Sequence, residues 1–285
     1  MRVQVDEVRA CEVRKAGQVA TIEITPFRET VETGVAADIH WSLGAMLDDL
    51  RWDDSVRVIV ITGKRDGEFL IAPPIDHYGS EAQKRRMRGI KASWSTSQGV
   101  IRTHQALALI EKPVVGRLNG DALGFGQSVL LGCDLIVARE DARISDLHLS
   151  MGQVRRSEDE VVVGPPYGLV PGDGALVWVP QSMPPQKAKE YLMLSRCLTA
   201  REMAEMGIVN YAVPAPELNG KTDEIVAELL ARPAAALAMT KRLLNRHLVE
   251  QMNLSLDLAY AYEKINFFEL SRARWQDKFV LGDED

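Results

Sequence analysis

Five histidines, three cysteines and the aspartates near them are the side chains of this 285-residue sequence best suited to proton transfer or metal binding near neutral pH. His148 stands out. It lies in Ser145-Asp-Leu-His-Leu-Ser-Met-Gly152, with Asp146 two positions earlier, on the same side if the segment is a strand. With an ordinary pKa of about 6.5, an imidazole can serve as a general base once an acceptor on its other nitrogen orients it. Asp173, in Val170-Pro-Gly-Asp-Gly174, is the first candidate for that acceptor, and Asp146 is the alternative. His77 follows Asp76 in Ile71-Ala-Pro-Pro-Ile-Asp-His77 and could line a pocket. Asp121 directly follows Asn119-Gly120, so a pocket position and plain turn chemistry both account for it. His40, His104 and His247 fall on expected helices, where a structural role is the simpler reading. Cys11, Cys133 and Cys197 are odd in number and far apart, without disulfide or metal-ligand spacing, and no metal is invoked.

Strands and helices must alternate to position these groups. Residues 17–24 place Ala20, Ile22 and Ile24 at period two, as in a half-buried strand. Residues 36–50 carry Leu43, Met46, Leu47 and Leu50 on one helical stripe. Residues 57–62 are a near-continuous β-branched run, the mark of a strand buried on both faces. A long helix is expected over 81–111, a strand over 113–118, a turn at Asn119-Gly120, a short Gly-rich helix over 122–131, and strands over 134–138 and 143–145. This alternation argues for an α/β core with parallel pairing. Thr199-Ala-Arg-Glu202 reads as a capping box, residues 208–213 as a short strand, and residues 223–275 as helix throughout. Residues 153–167 form an excursion that reads either as a solvated hairpin or as a lid over a pocket.

Three stretches in order carry a resemblance: Ile110-Glu-Lys-Pro-Val-Val-Gly-Arg-Leu-Asn-Gly120, Ala122-Leu-Gly-Phe-Gly126 and Cys133-Asp-Leu-Ile-Val-Ala138. Together with Ile59-Val-Ile-Thr-Gly63, Gly168-Leu-Val-Pro-Gly172 and Leu198-Thr-Ala-Arg-Glu202, they resemble the crotonase (enoyl-CoA hydratase/isomerase) superfamily over nearly the whole chain. The resemblance implies an α/β fold: a ββα spiral core over residues 1–200, then a C-terminal helical domain over 201–285 that packs homotrimers or hexamers. It also implies an oxyanion hole, two backbone N–H groups that hold a carbonyl oxygen as it becomes negative. Donors fixed in advance need no reorganisation as charge builds, which makes such holes worth several kcal/mol, of order 3 for one donor. The matching positions are Phe125, where the family carries Gly, and Ile75; Pro73 and Pro74 have no N–H to give.

Hydratases of that family use two glutamates, and neither is matched here. The first falls on Ser128, whose hydroxyl is no base unaided, and the second on His148. A His–Asp pair in place of the glutamates resembles the branch that hydrolyses C–C bonds in β-diketones, and Trp178 beside Gly168-Leu-Val-Pro-Gly-Asp-Gly174 adds to that likeness. The implied chemistry has His148, steered by Asp173, activate water toward a carbonyl held between Ile75 and Phe125. A second reading keeps an acyl-CoA substrate, with coenzyme A part of the substrate rather than a cofactor, and Lys64, Arg65 and Lys84-Arg-Arg-Met-Arg88 as candidate cations. A third is a catalytically decayed scaffold, which His148 and Asp173 lying far apart would favour. A net charge of −6 offers no basic face for nucleic acid, no apolar run is long enough for a membrane, and the few cysteines suit a reducing cytoplasm.

Overall fold

Alternating apolar residues make Val19–Ile24 a strand with Ala20, Ile22 and Ile24 buried, and Gly17, at φ 56° in the left-handed region, turns the chain into it from Cys11–Ala16. The computed structural model describes residues 10–26, 39–71, 90–150, 153–155, 161–163 and 168–280. These first strands, β1 and β2, pair antiparallel. After helix α1 (Ile39–Arg51), each β-rich unit splits its two strands between two sheets. Strands β3 (Val58–Gly63), β5 (Val114–Leu118) and β7 (Leu135–Arg139) join the larger sheet, and β4 (Gly67–Leu70), β6 (Gly120–Leu123) and β8 (Arg143–Ser145) join the smaller. Helix α2 (Ile90–Leu109) follows β4 and helix α3 (Phe125–Leu131) follows β6. The result is the expected ββα spiral, its larger sheet ordered β1-β2-β3-β5-β7 with parallel pairing from β2 onward.

The continuous apolar run of β3 does what its composition predicts. Ile59 and Ile61 enter the main core, while Val58 and Val60 face a second cluster with Leu218, Ile225 and Val226. Two expectations are corrected. Asn119-Gly120 is not a free-standing turn but a seam: Asn119 Nδ2 donates to the carbonyls of Gly63 (3.1 Å) and Arg65 (2.7 Å), and its Oδ1 accepts from Gly63 N–H at 2.9 Å. A Cβ on Gly120 would stand 1.9 Å from the Gly67 carbonyl carbon, so only glycine lets β4 approach. The Gly-rich helix starts three residues later than its composition suggests, at Phe125, because residues 120–123 are drawn into the smaller sheet between β4 and β8.

The excursion contains an antiparallel hairpin, β9 (Gln153–Arg155) with β10 (Val161–Val163). Beyond it come α4 (Ala175–Ser182), α5 (Pro185–Met193), β11 (Cys197–Thr199), α6 (Ala200–Glu205) and β12 (Tyr211–Val213). The capping box at Thr199 is present, its hydroxyl accepting from Glu202 N–H. Strand β12 pairs with β7 at the edge of the larger sheet, and α7 (Leu218–Leu230) covers that sheet's outer face. Helices α8 (Ala234–Leu244) and α9 (Arg246–Val280) complete the chain, α9 burying Met252, Leu256 and Tyr260 in the main core. No helix of the described residues is long and apolar enough to cross a membrane.

One ion pair pins the C-terminal helices to the core. Lys241 Nζ donates to Asp134 Oδ2 at 2.6 Å and to the Lys112 carbonyl at 3.1 Å, and the same Oδ2 accepts from Val114 N–H. Burial pushes the Asp134 carboxyl up and Lys241 opposes that shift. Removing the ammonium leaves a partly exposed carboxylate without its cation, so Lys241→Met should lower stability by about 1 kcal/mol in urea unfolding. Adding Asp134→Asn, which can still accept from Val114, should recover most of that loss.

Candidate active site

Strand β8 ends at Ser145, and the next residue turns the chain. Asp146 Oδ1 accepts from the backbone N–H of His148 at 3.1 Å, the hydrogen bond of an Asx turn. The same carboxylate meets His148 Nδ1 at 3.1 and 3.2 Å. A turn, rather than a shared strand face, therefore brings Asp146 and His148 together. Both are buried, at 1% and 6% exposed. Asp173 lies on the opposite edge of the ring, its Oδ2 3.5 Å from His148 Nε2. Both candidate acceptors thus reach the ring, Asp146 at Nδ1 and Asp173 beside Nε2. The chain on either side of the excursion is joined here, where Leu169 N–H donates to the His148 carbonyl at 2.6 Å.

Two further contacts hold Asp173. Ser128 Oγ on α3 donates to its Oδ1 at 3.4 Å, and His104 on α2 donates from Nε2 to its backbone carbonyl at 2.7 Å. Trp178, one turn into α4, donates its Nε1–H to His104 Nδ1 at 2.8 Å. With one nitrogen accepting and the other donating, His104 is a neutral imidazole of fixed tautomer. Burial pushes its pKa down to about 4. Gly174 has φ 112°, and a Cβ there would lie 2.1 Å from His104 Nε2, so this corner requires glycine. Trp178 thus touches His104 rather than His148, and acts on Asp173 through it.

Charge around His148 is lopsided. Burial alone would favour the neutral ring, but Asp173 and then Asp146 outweigh it, and the pKa of His148 stands well above 6.5. Burial pushes Asp173 up, opposed by His148 and reinforced by Asp146 and Glu263. Glu263, on α9, is a site residue the sequence did not single out. It is 9% exposed, and its buried Oε2 accepts no hydrogen bond among the described residues. Its Oε1 lies 4.0 Å from Lys264 Nζ. One imidazole therefore sits between two buried carboxylates, with Glu263 near enough for its charge to act on both His148 and Asp173.

Helix α3 supplies the other side. Gly124, at φ 63° and ψ −124°, turns β6 into α3, and a Cβ on Gly126 would stand 2.2 Å from the Leu70 carbonyl oxygen. The Phe125 N–H, first in the helix, meets no acceptor among the described residues. Phe125 and Ser128 are three residues apart and share a face of α3, and Ser128 meets Asp173 from it. The ring of Phe125 lies 4.4 Å from that of His40 and 5.6 Å from that of His104. Ile75, Asp76 and His77 lie outside the described residues. Asp121 is not gathered with the others: its Oδ1 accepts from Arg143 N–H at 2.8 Å, tying β6 to β8. Asp146, His148 and Asp173 offer ligand atoms within 4.8 Å of one another, but the two carboxylates flank opposite ring nitrogens, so an ion bound to one nitrogen finds one of them beside it.

A spiral of two sheets carrying an acid–base cluster beside a helix N-terminus defines a crotonase-superfamily enzyme. Residues 16–273 match the enoyl-CoA hydratase/isomerase family, and the chain belongs to it. It is 23% identical over 259 residues to the short-chain-enoyl-CoA hydratase of Clostridium acetobutylicum, covering 90% of this chain and 87% of that one. Among solved structures, an enoyl-CoA hydratase/isomerase from Mycobacterium paratuberculosis superposes with TM-score 0.75 at 25% identity, over 92% of this chain and 95% of the other. A β-diketone hydrolase from Anabaena, bound to (S)-3-oxocyclohexyl acetic acid, shares the fold with TM-score 0.73 at 20% identity, over 92% and 96%. The chain is therefore an enzyme of the enoyl-CoA hydratase/isomerase family.

The Trp178–His104–Asp173 chain is testable by stability. Trp178→Phe leaves His104 Nδ1 a buried acceptor without a donor, which should cost about 1–3 kcal/mol in denaturant unfolding. The same change should loosen the tautomer, visible in the nitrogen chemical shifts of His104.

Proposed function

We propose that this enzyme adds water to a ketone carbonyl and cleaves the neighbouring C–C bond of a β-diketone. The observation that carries the reading is the set of partners of His148. An imidazole stands at the family's acid/base position with Asp146 on Nδ1, and Nε2 is free to act beside Asp173. The 3.5 Å contact to Asp173 is longer than an optimal charge-assisted hydrogen bond, leaving Nε2 and Oδ2 to be shared by a water. That water gives a proton to His148 and attacks the carbonyl carbon. The oxygen becomes an alkoxide against the N–H groups of Phe125 and Ile75. Collapse restores the C=O as a carboxylic acid and sends the C–C bonding pair to the leaving fragment as an enolate. His148 returns its proton to the enolate carbon, and no proton is left over. Ser128 acts by steering Asp173 rather than as a nucleophile.

The acyl-CoA alternative draws on the names of the family's hydratases. Of its candidate cations, Lys64 is paired with Glu12 at 2.6 Å, and residues 84–88 lie outside the described residues. The decayed-scaffold reading expected His148 and Asp173 apart, whereas they sit together. We further read the apolar side chains that α8 and α9 leave exposed, Leu243, Leu244, Leu254 and Phe268 among them, as the face that packs homotrimers or hexamers.

Assaying cyclic β-diketones beside enoyl-CoA esters decides between the two chemistries. The wild-type enzyme should cleave a diketone, and His148→Ala should lower turnover by at least about a hundredfold without unfolding the chain. Turnover of acyl-CoA esters alone would replace hydrolysis with the alternative.

A base must be neutral to accept a proton, and the pKa of His148 is raised, so kcat/KM should climb with pH through neutrality into the alkaline range. Asp146→Asn removes one of the three carboxylates that raise it, and the rising limb should then move to lower pH. An unmoved limb would assign that titration to another group.

A further inference from the structure

The turn at Asp146 decides where its carboxylate points, and so how firmly that carboxylate sits on His148 Nδ1. Strand β8 ends one residue earlier, at Ser145, and its ladder to β11 ends there too, with Ser145 opposite Cys197. The N–H of Asp146 therefore lies just beyond the sheet. Asp146 is buried, and its N–H finds no backbone carbonyl among the described residues. A buried N–H needs an acceptor from somewhere else.

Tyr191, in the last turn of α5, stands against it. Tyr191 is 2% exposed, and its buried hydroxyl makes no other hydrogen bond among the described residues. The N–H of Asp146 reaches that hydroxyl oxygen. The chain leaving α5 holds the two segments together. Ser195 takes the turn at φ 46°, Arg196 N–H donates to the Tyr191 carbonyl at 2.9 Å, and Ser145 Oγ donates to the Arg196 carbonyl at 3.0 Å. Burial pushes the phenol well above its ordinary pKa, Asp146 and Cys197 add to that, and the Asp146 N–H opposes it. The hydroxyl keeps its proton through the neutral range, so it is a fixed dipole and not a titrating group.

We propose that Tyr191 is a positioning residue for His148: its hydroxyl oxygen accepts the Asp146 N–H, keeps the turn closed and so holds the Asp146 carboxylate on Nδ1. The inference rests on His148 being the acid–base group of the reaction proposed above. Tyr191 touches no substrate and moves no proton. It acts through the direction of one carboxylate, and that direction sets both the tautomer and the basicity of the imidazole.

Tyr191→Phe keeps the ring and loses the acceptor. The other charged groups that face His148, Asp173 before α4 and Glu263 on α9, are left in place. Because Asp146 raises the pKa of His148, a loosened carboxylate lowers it. Followed by NMR of the ring, His148 should titrate about half a pH unit or more lower in Tyr191→Phe than in the wild type. On whichever substrate the enzyme turns over, the rising limb of kcat/KM should move down with it, and kcat should fall roughly tenfold with KM little changed. In an Asp146→Asn background the carboxylate charge is already gone, so adding Tyr191→Phe should leave the His148 titration where it was. A Ser195→Gly background, which relieves the left-handed φ, supplies folded protein if Tyr191→Phe melts low. An unmoved His148 titration in Tyr191→Phe, or an equal shift with and without the Asp146 carboxylate, would overturn the assignment. Failure of the wild-type enzyme to cleave any diketone would overturn the hydrolase reading alone, because the titration needs no substrate.

Discussion

One buried imidazole set between two carboxylates holds this site together. Asp146 and Asp173 are 1% and 7% exposed, and neither has a lysine or arginine on it in the cluster described. His148 is the group that makes their burial tolerable, and the cost of stranding either carboxylate ties local stability to its protonation. Its pKa is raised in the fold, so its ionic stabilisation is complete below the unfolded value of about 6.5 and is lost as pH climbs through the folded one. His104 runs the other way. Its pKa is lowered to about 4, so what it contributes is present above about 6.5 and lost as pH falls through the folded value. The protonation state that best stabilises the cluster is therefore not the one in which His148 can accept a proton. Turnover and local stability pull toward opposite ends of the pH scale.

The rest of the fold delivers these groups by close backbone approach. Gly124 turns β6 into α3, Gly126 lets the Leu70 carbonyl touch that helix, and Gly174 admits the His104 ring over the start of α4. Helix α9 does more than add apolar surface. Asn266 Oδ1 accepts from Val170 N–H at 3.1 Å, and a Cβ on Gly172 would lie 2.5 Å from Glu263 Oε2. The loop that carries Asp173 is thus clamped between the core and the last helix. The strand and helix beyond residue 205 belong to the same construction, because β12 extends the larger sheet and α7 seals its outer face.

Much of this was legible in the sequence. The β-branched run of β3 announced a strand buried twice, and it is; the capping box at Thr199 announced a helix start, and it is one. His148 could be singled out because few side chains titrate near neutrality and it falls where the resemblance places the second glutamate. The order of its two aspartates could not be read, since an Asx turn and a strand place Asp146 on the same side for different reasons. His40, His104 and Glu263 were invisible for a shared reason. Each sits on a helix whose sequence reads as ordinary, and only the crossings of α1, α2 and α9 over the core bring them to residues distant in the chain. Periodicity tells which face of a helix is buried, not what that face meets.

Replacing two glutamates by serine and histidine does not simply subtract an acid. On the proposed reading it moves the carboxylates outward by one step: they now act on the imidazole, and the imidazole acts on the substrate. A glutamate at the acid/base position would leave Asp146 and Asp173 facing another anion, with burial driving one of them to protonate. Histidine there converts the same carboxylates from a liability into the source of its raised basicity. Ser128 then has a role that a glutamate could not fill, since its hydroxyl donates to Asp173 whereas a carboxylate would repel it. The two substitutions are therefore coupled. Restoring glutamate at position 128 alone should be worse for the cluster than leaving serine, because it adds another buried acid beside Asp173, which already shares one base with Asp146.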